Sequence, residues 1–495
     1  MHSFRPHKHT ADAPRLASET WVCTLLTLTL ALTGCTVGPK YTRPAVPTAP
    51  DFRGPDNTSV ASDPKSSIGD QQWSTIFHEP ELQDLIRAAL QNNYDLRIAA
   101  EKILEQQQQV RITRSQEFPQ LSVGGTGLGA DIPSLSSNNN SSGSSSSGGF
   151  NLTNPLVLGS LSLSGSWTPD FWGLYRRQTE AQRDLLLSQQ WAQRAVRVTL
   201  VQQVATTYFQ LRALDAQLAV AQQTLKARQD SLSLTQKLET GGAAPLSDVR
   251  QAEQLLYTAS SEIPQLQQQI QQTENSLRYL TGQIPGTVPH TDPTALAPPP
   301  QTLPTGIPSE LLARRPDIEE AEAQLMAANA NIGAARAAFF PSLSISGSAG
   351  VGGSSLAAFF THNAFTAYGI GSLAQPIFEG GKLRGQLQLT KDQKDEMVLN
   401  YQKTIIGAFR DVSNALIAAE KTRDTRIEEQ KLVASAADAT RLARDRYQGG
   451  AASYLEVLTN DSNLFSAQLN LITAQQNEAL TLVQLYSALG GGWQQ

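Results

Sequence analysis

The chain has 495 residues, with 39 Lys and Arg against 44 Asp and Glu, a net charge of −5, 17% charged residues and two cysteines. The charged fraction lies well below the roughly 25% usual in soluble domains, and the acidic balance excludes a nucleic-acid binder that works through a basic stripe. No run of 18 or more apolar residues follows the first 35 positions, so no α-helical span is available and a membrane crossing would have to be made by strands.

Residues 1–34 read as a signal peptide: Arg5, Lys8 and Arg15 precede an apolar core from Trp21 to Leu32 that is too short to span. It ends in Leu32-Thr33-Gly34-Cys35, which resembles the bacterial lipoprotein box, in which Cys35 becomes residue one and carries covalent diacylglycerol and an N-acyl chain. Each buried CH₂ of such chains contributes about 0.8 kcal/mol, enough in sum to anchor a protein to a bilayer. Thr36, where Asp would signal retention, resembles the sorting choice for the outer membrane of Gram-negative bacteria. Cys23 leaves with the signal, so no disulfide framework is expected. Residues 35–70 are rich in Pro, Ser, Thr and Asp without periodicity, and are expected to lie extended over other structure.

From residue 71 the chain states one plan twice. A helical stretch from Leu82 to Gln116 runs into Phe118-Pro119, and a second from Ala321 to Ala338 runs into Phe340-Pro341, an offset of 222. After each Phe-Pro the period switches to two: Leu121 and Val123, then Leu161, Leu163, Gly165 and Trp167 in the first copy; Leu343 and Ile345, then Phe365, Ala367, Gly369, Gly371 and Leu373 in the second. Gly241-Gly242-Ala243-Ala244 returns as Gly449-Gly450-Ala451-Ala452 at an offset of 208, and Val249, Leu256, Ala259 and Gly282 meet Val457, Leu464, Ala467 and Gly490. This is an internal duplication. The first repeat is assigned to 71–290, with a strand pair at about 119–168 and a hairpin tip at about 241–245. A Pro-rich linker covers 291–307. The second repeat covers 308–492, with a strand pair at about 342–376 and a tip at about 449–453.

The helices between these marks carry coiled-coil seams. Val204, Leu211, Leu218, Leu225 and Leu232 fall seven apart, with Leu200, Thr207, Leu214 and Ala221 between them; Val249, Leu256, Ile263, Ile270 and Leu277 repeat the spacing after the Gly-Gly break. Arg176 to Glu239 would measure about 96 Å as one helix. Gln-rich surfaces such as Gln106–Gln109 and Gln267–Gln269 suit helices wetted on more than one side, and Pro264 is expected to kink the returning helix.

The strands are rich in Gly and Ser, and the stretch from Ser134 to Gly149 reads as a disordered surface loop. Four strands cannot close a membrane barrel, which needs at least about eight, so copies must pool them: two give eight, three give twelve. With a lipid anchor and helices of this length, the pattern favours a barrel in the outer membrane continued by a helical tube.

Several long motifs, in order, then match a family. Cys35-Thr36-Val37-Gly38-Pro39-Lys40-Tyr41 with Arg43-Pro44, Trp73 with Phe77 and Pro80, Pro308-Ser309-Glu310-Leu311-Leu312 with Arg314-Arg315-Pro316-Asp317-Ile318, Ala330-Asn331-Ile332-Gly333, Pro376-Ile377-Phe378 with Gly380-Gly381, and Ala488-Leu489-Gly490-Gly491-Gly492-Trp493 resemble the outer-membrane lipoprotein components of tripartite (RND-type) efflux systems, the NodT/OprM-type, TolC-like outer-membrane factors. The resemblance implies an α+β membrane protein: a homotrimer with a shared twelve-stranded β-barrel and a periplasmic α-barrel of long helical hairpins. It implies docking to a periplasmic adaptor (membrane fusion) protein and an inner-membrane RND-type pump, and contact with outer-membrane lipid but with no nucleic acid. Its function is that of a passive exit duct, gated at the periplasmic helix tips.

By the same resemblance the pore gate falls on Asp248 and Glu456, each seven residues after its Gly-Gly begins, with Arg446 and Tyr447 beside the second tip pairing with neighbouring hairpins. Three copies would bring six carboxylates to one axis and favour cations; a plain helix-start role beside the macrodipole explains the same acids. Gly241, Gly242, Gly449 and Gly450 are the expected adaptor contacts. No enzyme is indicated: only His78, His290 and His362 follow the signal, no Cys-His spacing or phosphate loop occurs, and Arg314-Arg315-Pro316-Asp317 reads as a helix start rather than an active site. No cofactor or metal is expected. A lipid-anchored coiled-coil structural protein or adhesin shares the anchor and heptads but predicts no duplicated strand pairs.

Overall fold

The computed structural model describes residues 36–46, 51–60, 67–130, 156–289, 306, 310–353, 361 and 364–493. The stretch 1–34 read as a signal peptide, Cys35, the Ser-rich stretch 134–149 and nearly all of the Pro-rich 291–307 lie outside the described residues. The four main strands are β1 (Gln120–Ala130), β2 (Leu156–Trp167), β3 (Ser342–Gly353) and β4 (Phe365–Ala374). The main helices are α1 (Pro80–Asn92), α2 (Tyr94–Ser115), α3 (Leu174–Thr240), α4 (Leu246–Leu280), α5 (Pro316–Ala337), α6 (Lys382–Gln448) and α7 (Tyr454–Ala488). The duplication is visible in their lengths: α2 and α5 have 22 residues each, α3 and α6 have 67, and α4 and α7 have 35.

The chain divides into two units. The first comprises Met1–Thr42, Gln107–Asp184 and Met326–Asp395, and its centre is an antiparallel sheet in the order β1-β2-β3-β4. The register sorts most side chains by chemistry, with Tyr368 and Ile370 as large exceptions on the serine-rich face. Val123 stands opposite Leu163, Leu163 opposite Ala349, and Ala349 opposite Ala367, so one face is Leu, Val, Ile, Phe, Trp, Ala and Gly. On the other face Ser122 meets Ser164, Ser164 meets Ser348, and Ser344 meets Ser372. Hydroxyls bond across that face, Ser122 to Ser164 at 3.0 Å and Ser344 to Ser372 at 2.6 Å. The apolar face is uncovered: Leu121 is 74% and Val123 72% exposed. Strands β1 and β4 are each paired on one side only. Such unpaired edges ordinarily need cover or a partner. None of these four strands carries Asp, Glu, Lys, Arg or His. In this unit the extended N-terminal segment is tied down by Arg177 Nε donating to Val37 O at 3.3 Å and Asn329 Nδ2 donating to Pro39 O at 3.2 Å.

The second unit comprises Arg43–Gln106, Leu185–Leu325 and Glu396–Gln495. Its core gathers Leu82, Ile86 and Ala89 of α1, Leu200, Val204, Tyr208 and Leu211 of α3, Leu277 of α4, and Val483 and Tyr486 of α7. Further along, Leu214 and Ala221 of α3 pack on Leu266 of α4. The heptad residues thus point inward, and the Gln-rich surfaces face water: Gln267, Gln268 and Gln269 are all exposed. Arg43 Nε donates to Glu322 Oε1 at 2.7 Å, holding the chain's approach to this unit against α5.

One expectation needs correction. The stretch Leu82–Gln116 is two helices, because Asn93 is extended (φ −60, ψ 133) and uses its side chain twice: Oδ1 accepts from Leu96 N at 3.1 Å and Nδ2 donates to Leu280 O at 3.0 Å. Local side-chain bonding of this kind competes with helix continuation. Pro264 lies inside α4, which runs without interruption from Leu246 to Leu280.

Candidate gate at the hairpin tips

Both hairpins turn by the same device. Helix α3 ends as Ala243 N–H bonds Leu238 O at 2.8 Å and Gly242 N–H bonds Glu239 O at 2.8 Å; α6 ends as Ala451 N–H bonds Arg446 O at 2.8 Å and Gly450 N–H bonds Tyr447 O at 3.0 Å. These paired bonds satisfy the last helical carbonyls and need a left-handed residue, supplied by Gly242 (φ +73) and Gly450 (φ +74). Gly241, Gly242, Gly449 and Gly450 are all exposed. Pro245 and Ser453 then stand as N-caps without a side-chain capping bond, leaving Asp248 and Glu456 as the acids of the first turns of α4 and α7.

The tips of the two hairpins pack on each other. Ala252, Ala443, Tyr454 and Val457 form a small buried cluster, with Leu232, Tyr447 and Leu458 around it. The rings of Tyr447 and Tyr454 lie 5.3 Å apart. That ring contact lies within the second hairpin; Tyr447 meets the first hairpin of its own chain through the cluster with Ala252 and Leu232. Its hydroxyl is buried without a hydrogen bond of ordinary geometry among the described residues. Burial first, then the field of Asp248, push its ionisation above the ordinary phenol range. Tyr454 is raised as well, again mainly by burial. Glu456 does not stand alone: Arg446 Nη1 approaches its Oε1 at 2.7 Å, with the arginine also donating to Ala451 O at 3.3 Å. Asp248 has no ion pair among the described residues and accepts only a 3.4 Å bond from Ser247 Oγ. Of the four expected gate residues, the fold joins Arg446 to Glu456 and brings Tyr447 near Asp248.

Behind the tips lies a network that sequence reading passed over. Arg228 of α3 is 4% exposed; its Nε donates to Asp461 Oδ2 of α7 at 2.9 Å and its Nη1 to Leu255 O at 2.8 Å. Arg444 of α6 reaches the other carboxylate oxygen at 2.8 Å, and the Arg228 guanidinium lies 5.2 Å from the ring centre of Phe465. One carboxylate thus joins both hairpins through two arginines. The signal was present: Arg228 and then Thr235 continue the seven-residue series of Leu200, Thr207, Leu214 and Ala221, and Asp461 falls seven after Tyr454. Polar residues at seam positions fix register at a cost in stability.

Residues 85–283 and 307–491 match the family model described as outer membrane efflux protein. The cation efflux system protein CusC of Escherichia coli K12 is 36% identical over 466 residues, covering 94% of this chain and 97% of that protein. The toluene efflux pump outer membrane protein TtgC of Pseudomonas putida is 37% identical over 476 residues, covering 94% and 95%. Among solved structures, the open state of the Neisseria gonorrhoeae MtrE outer membrane channel matches with a TM-score of 0.79 at 30% identity, over 93% of this chain and 99% of that one.

Proposed function

This chain belongs to the outer membrane efflux protein family, and from that premise we propose that three copies close a twelve-stranded barrel that serves as the exit duct of a tripartite pump. The protein is an outer-membrane efflux channel of a Gram-negative bacterium, not an enzyme. The family supplies the number three, and the observation that carries the shared barrel is the sheet. Its strands of 10 to 12 residues suit a tilted span of about 9–11 residues. Its apolar face suits lipid, its serine face a water-filled lumen, and its two unpaired edges neighbouring copies.

The remaining parts follow from the same reading. A diacylglycerol and an N-acyl chain on Cys35 anchor each copy to the outer membrane. Asp248 and Glu456 ring the periplasmic entrance, and Gly241, Gly242, Gly449 and Gly450 meet a periplasmic adaptor that couples the duct to an inner-membrane pump. Because Arg446 already compensates Glu456, Asp248 supplies most of the cation preference. The relatives' names speak of cations and of toluene; strands without charged side chains leave selection to the tips and the pump.

Native mass spectrometry of the protein extracted from outer membranes tests this. A trimer with acyl mass on Cys35 is expected, and single-channel conductance with it. An unacylated monomer, or an acylated protein that never conducts, would return the coiled-coil adhesin reading.

A further inference from the structure

Where β2 and β4 end and β3 begins, a cavity of about 570 Å³ opens, with an apolar wall of Phe171, Trp172, Leu174, Ala338, Phe340 and Pro341 and a polar side that includes Asp170, Ser342 and Gln375. Trp172 stacks on Phe340 with ring centres 4.7 Å apart. On the loop forming its rim, between Pro376 and Glu379, Ile377 and Phe378 are 94% and 89% exposed. Single apolar residues on a surface are unremarkable, but two large ones this bare in the single copy, beside an opening with an apolar wall, mark a binding surface. The volume falls within the roughly 300–1,000 Å³ of small-molecule sites.

The N-terminal segment runs along the backbone of one wall residue, Trp172. Val37 N–H donates to Trp172 O at 3.1 Å. Thr36 lies so close to Gly173 that a Cβ there would sit 3.2 Å from Thr36 Cα. Cys35 is one peptide away, about 3.8 Å between Cα atoms. A chain attached one residue before Thr36 is tethered within a short reach of Trp172, at an effective concentration on the order of millimolar.

We propose that one acyl chain of the Cys35 lipid lies in this cavity against Trp172 and Phe340 and covers Ile377 and Phe378. The inference rests on acylation of Cys35, as read above. The anchor then has a fixed seat on the protein, and only its remaining chains enter the bilayer.

The test uses the full-length protein, made in a Gram-negative host fed a diazirine-bearing fatty acid, purified in detergent, irradiated and mapped by peptide mass. Intact mass first locates the label on Cys35. Crosslinks are expected at Trp172, Phe340 and Phe378, and Ala338→Trp, which fills the cavity, should abolish those to Trp172 and Phe340. Should that variant not assemble, Phe378→Ser on the exposed loop is read instead, with loss of the rim crosslinks and retention of those at Trp172. Labelled Cys35 with crosslinks only to bulk lipid or to the Leu121 and Leu163 face would overturn the proposal, as would an unlabelled Cys35. So would a photoreactive residue at position 378 that captures a neighbouring copy, which would make that copy the occupant. Conductance of the same sample separates the two readings: an intact channel with misplaced crosslinks removes the acyl seat alone, and lost conductance with correct crosslinks removes the duct alone.

Discussion

Replacing Asp461 by Ala is the sharpest test of how the two hairpins are coupled. The substitution strips Arg228, which is 4% exposed, of its carboxylate and leaves only the bond to Leu255 O. Arg444 loses the same partner, but its side chain is 40% exposed and can turn to water. Breaking a buried pair from one side costs about 3–5 kcal/mol, because the surviving charge stays desolvated. At the lower end, about 3 kcal/mol, amides at the tips should exchange hydrogen roughly a hundredfold faster if they open by local separation of the hairpins. The double variant Arg228→Met with Asp461→Leu removes both charges at similar volume and should recover most of that protection. Hydrogen-exchange mass spectrometry on peptides covering 228–250 and 444–461 reads both. Protection unchanged within a factor of two in Asp461→Ala would refute the coupling argument; a double variant as exposed as the single one would show that packing around Phe465, not charge, holds the hairpins together.

Other substitutions probe the remaining parts. Arg446→Ala should free Glu456 and shift the reversal potential in a salt gradient toward stronger cation preference, while changing stability by less than about 1 kcal/mol because the pair is exposed. Gly242→Ala and Gly282→Ala share a φ near +70, yet only Gly282 would place its Cβ 2.4 Å from Asn92 O; the first should cost about 1 kcal/mol, and the second should lower the melting temperature far more. Leu161→Lys on the apolar face should cost about 2–4 kcal/mol in a membrane-folding assay, whereas Ser162→Lys should fold and lower cation conductance. The Asp184 carboxyl is raised to about 6 by burial and then by Glu180. Its folded value exceeds its unfolded one, so its contribution is complete below about pH 4 and is lost as pH rises through about 6; Asp184→Asn should flatten melting temperature across that window.

Much of this architecture can be read from spacing alone. Strand alternation placed Leu121, Val123, Leu161 and Leu163 on one face because the pleat has a strict period of two. Glycine pairs marked the turns because a helix ending this way needs a left-handed residue. What escaped were places where polar side chains do the work of apolar ones. Asn93 breaks a helix by bonding across 187 residues to Leu280, a contact with no local signature. Arg228, Thr235 and Asp461 sit in register with the seams, but a pattern search for hydrophobes discards them. The second seam of α4, where Ala252, Ala259, Leu266 and Thr273 recur at seven-residue steps and are buried, was equally hidden, because alanine and threonine carry little apolar weight.

The lengths of the duplicated elements carry one more consequence. The offset between repeats falls from 222 before the sheet to 208 after it. The connection between β1 and β2 spans residues 131–155, whereas that between β3 and β4 spans 354–364, and this difference accounts for the whole fall. Between the Phe-Pro marks and the hairpins, the net drift in length falls in the strand connections, the strands themselves differing by only one or two residues. The hairpins have kept step, 67 and 35 residues in both copies. One residue added to α3 would advance its tip by about 1.5 Å and turn it by about 100°, moving Arg228 out of reach of Asp461. The two arms behave as a matched pair of callipers, and a compensated insertion made in both at once should be tolerated where either alone is not.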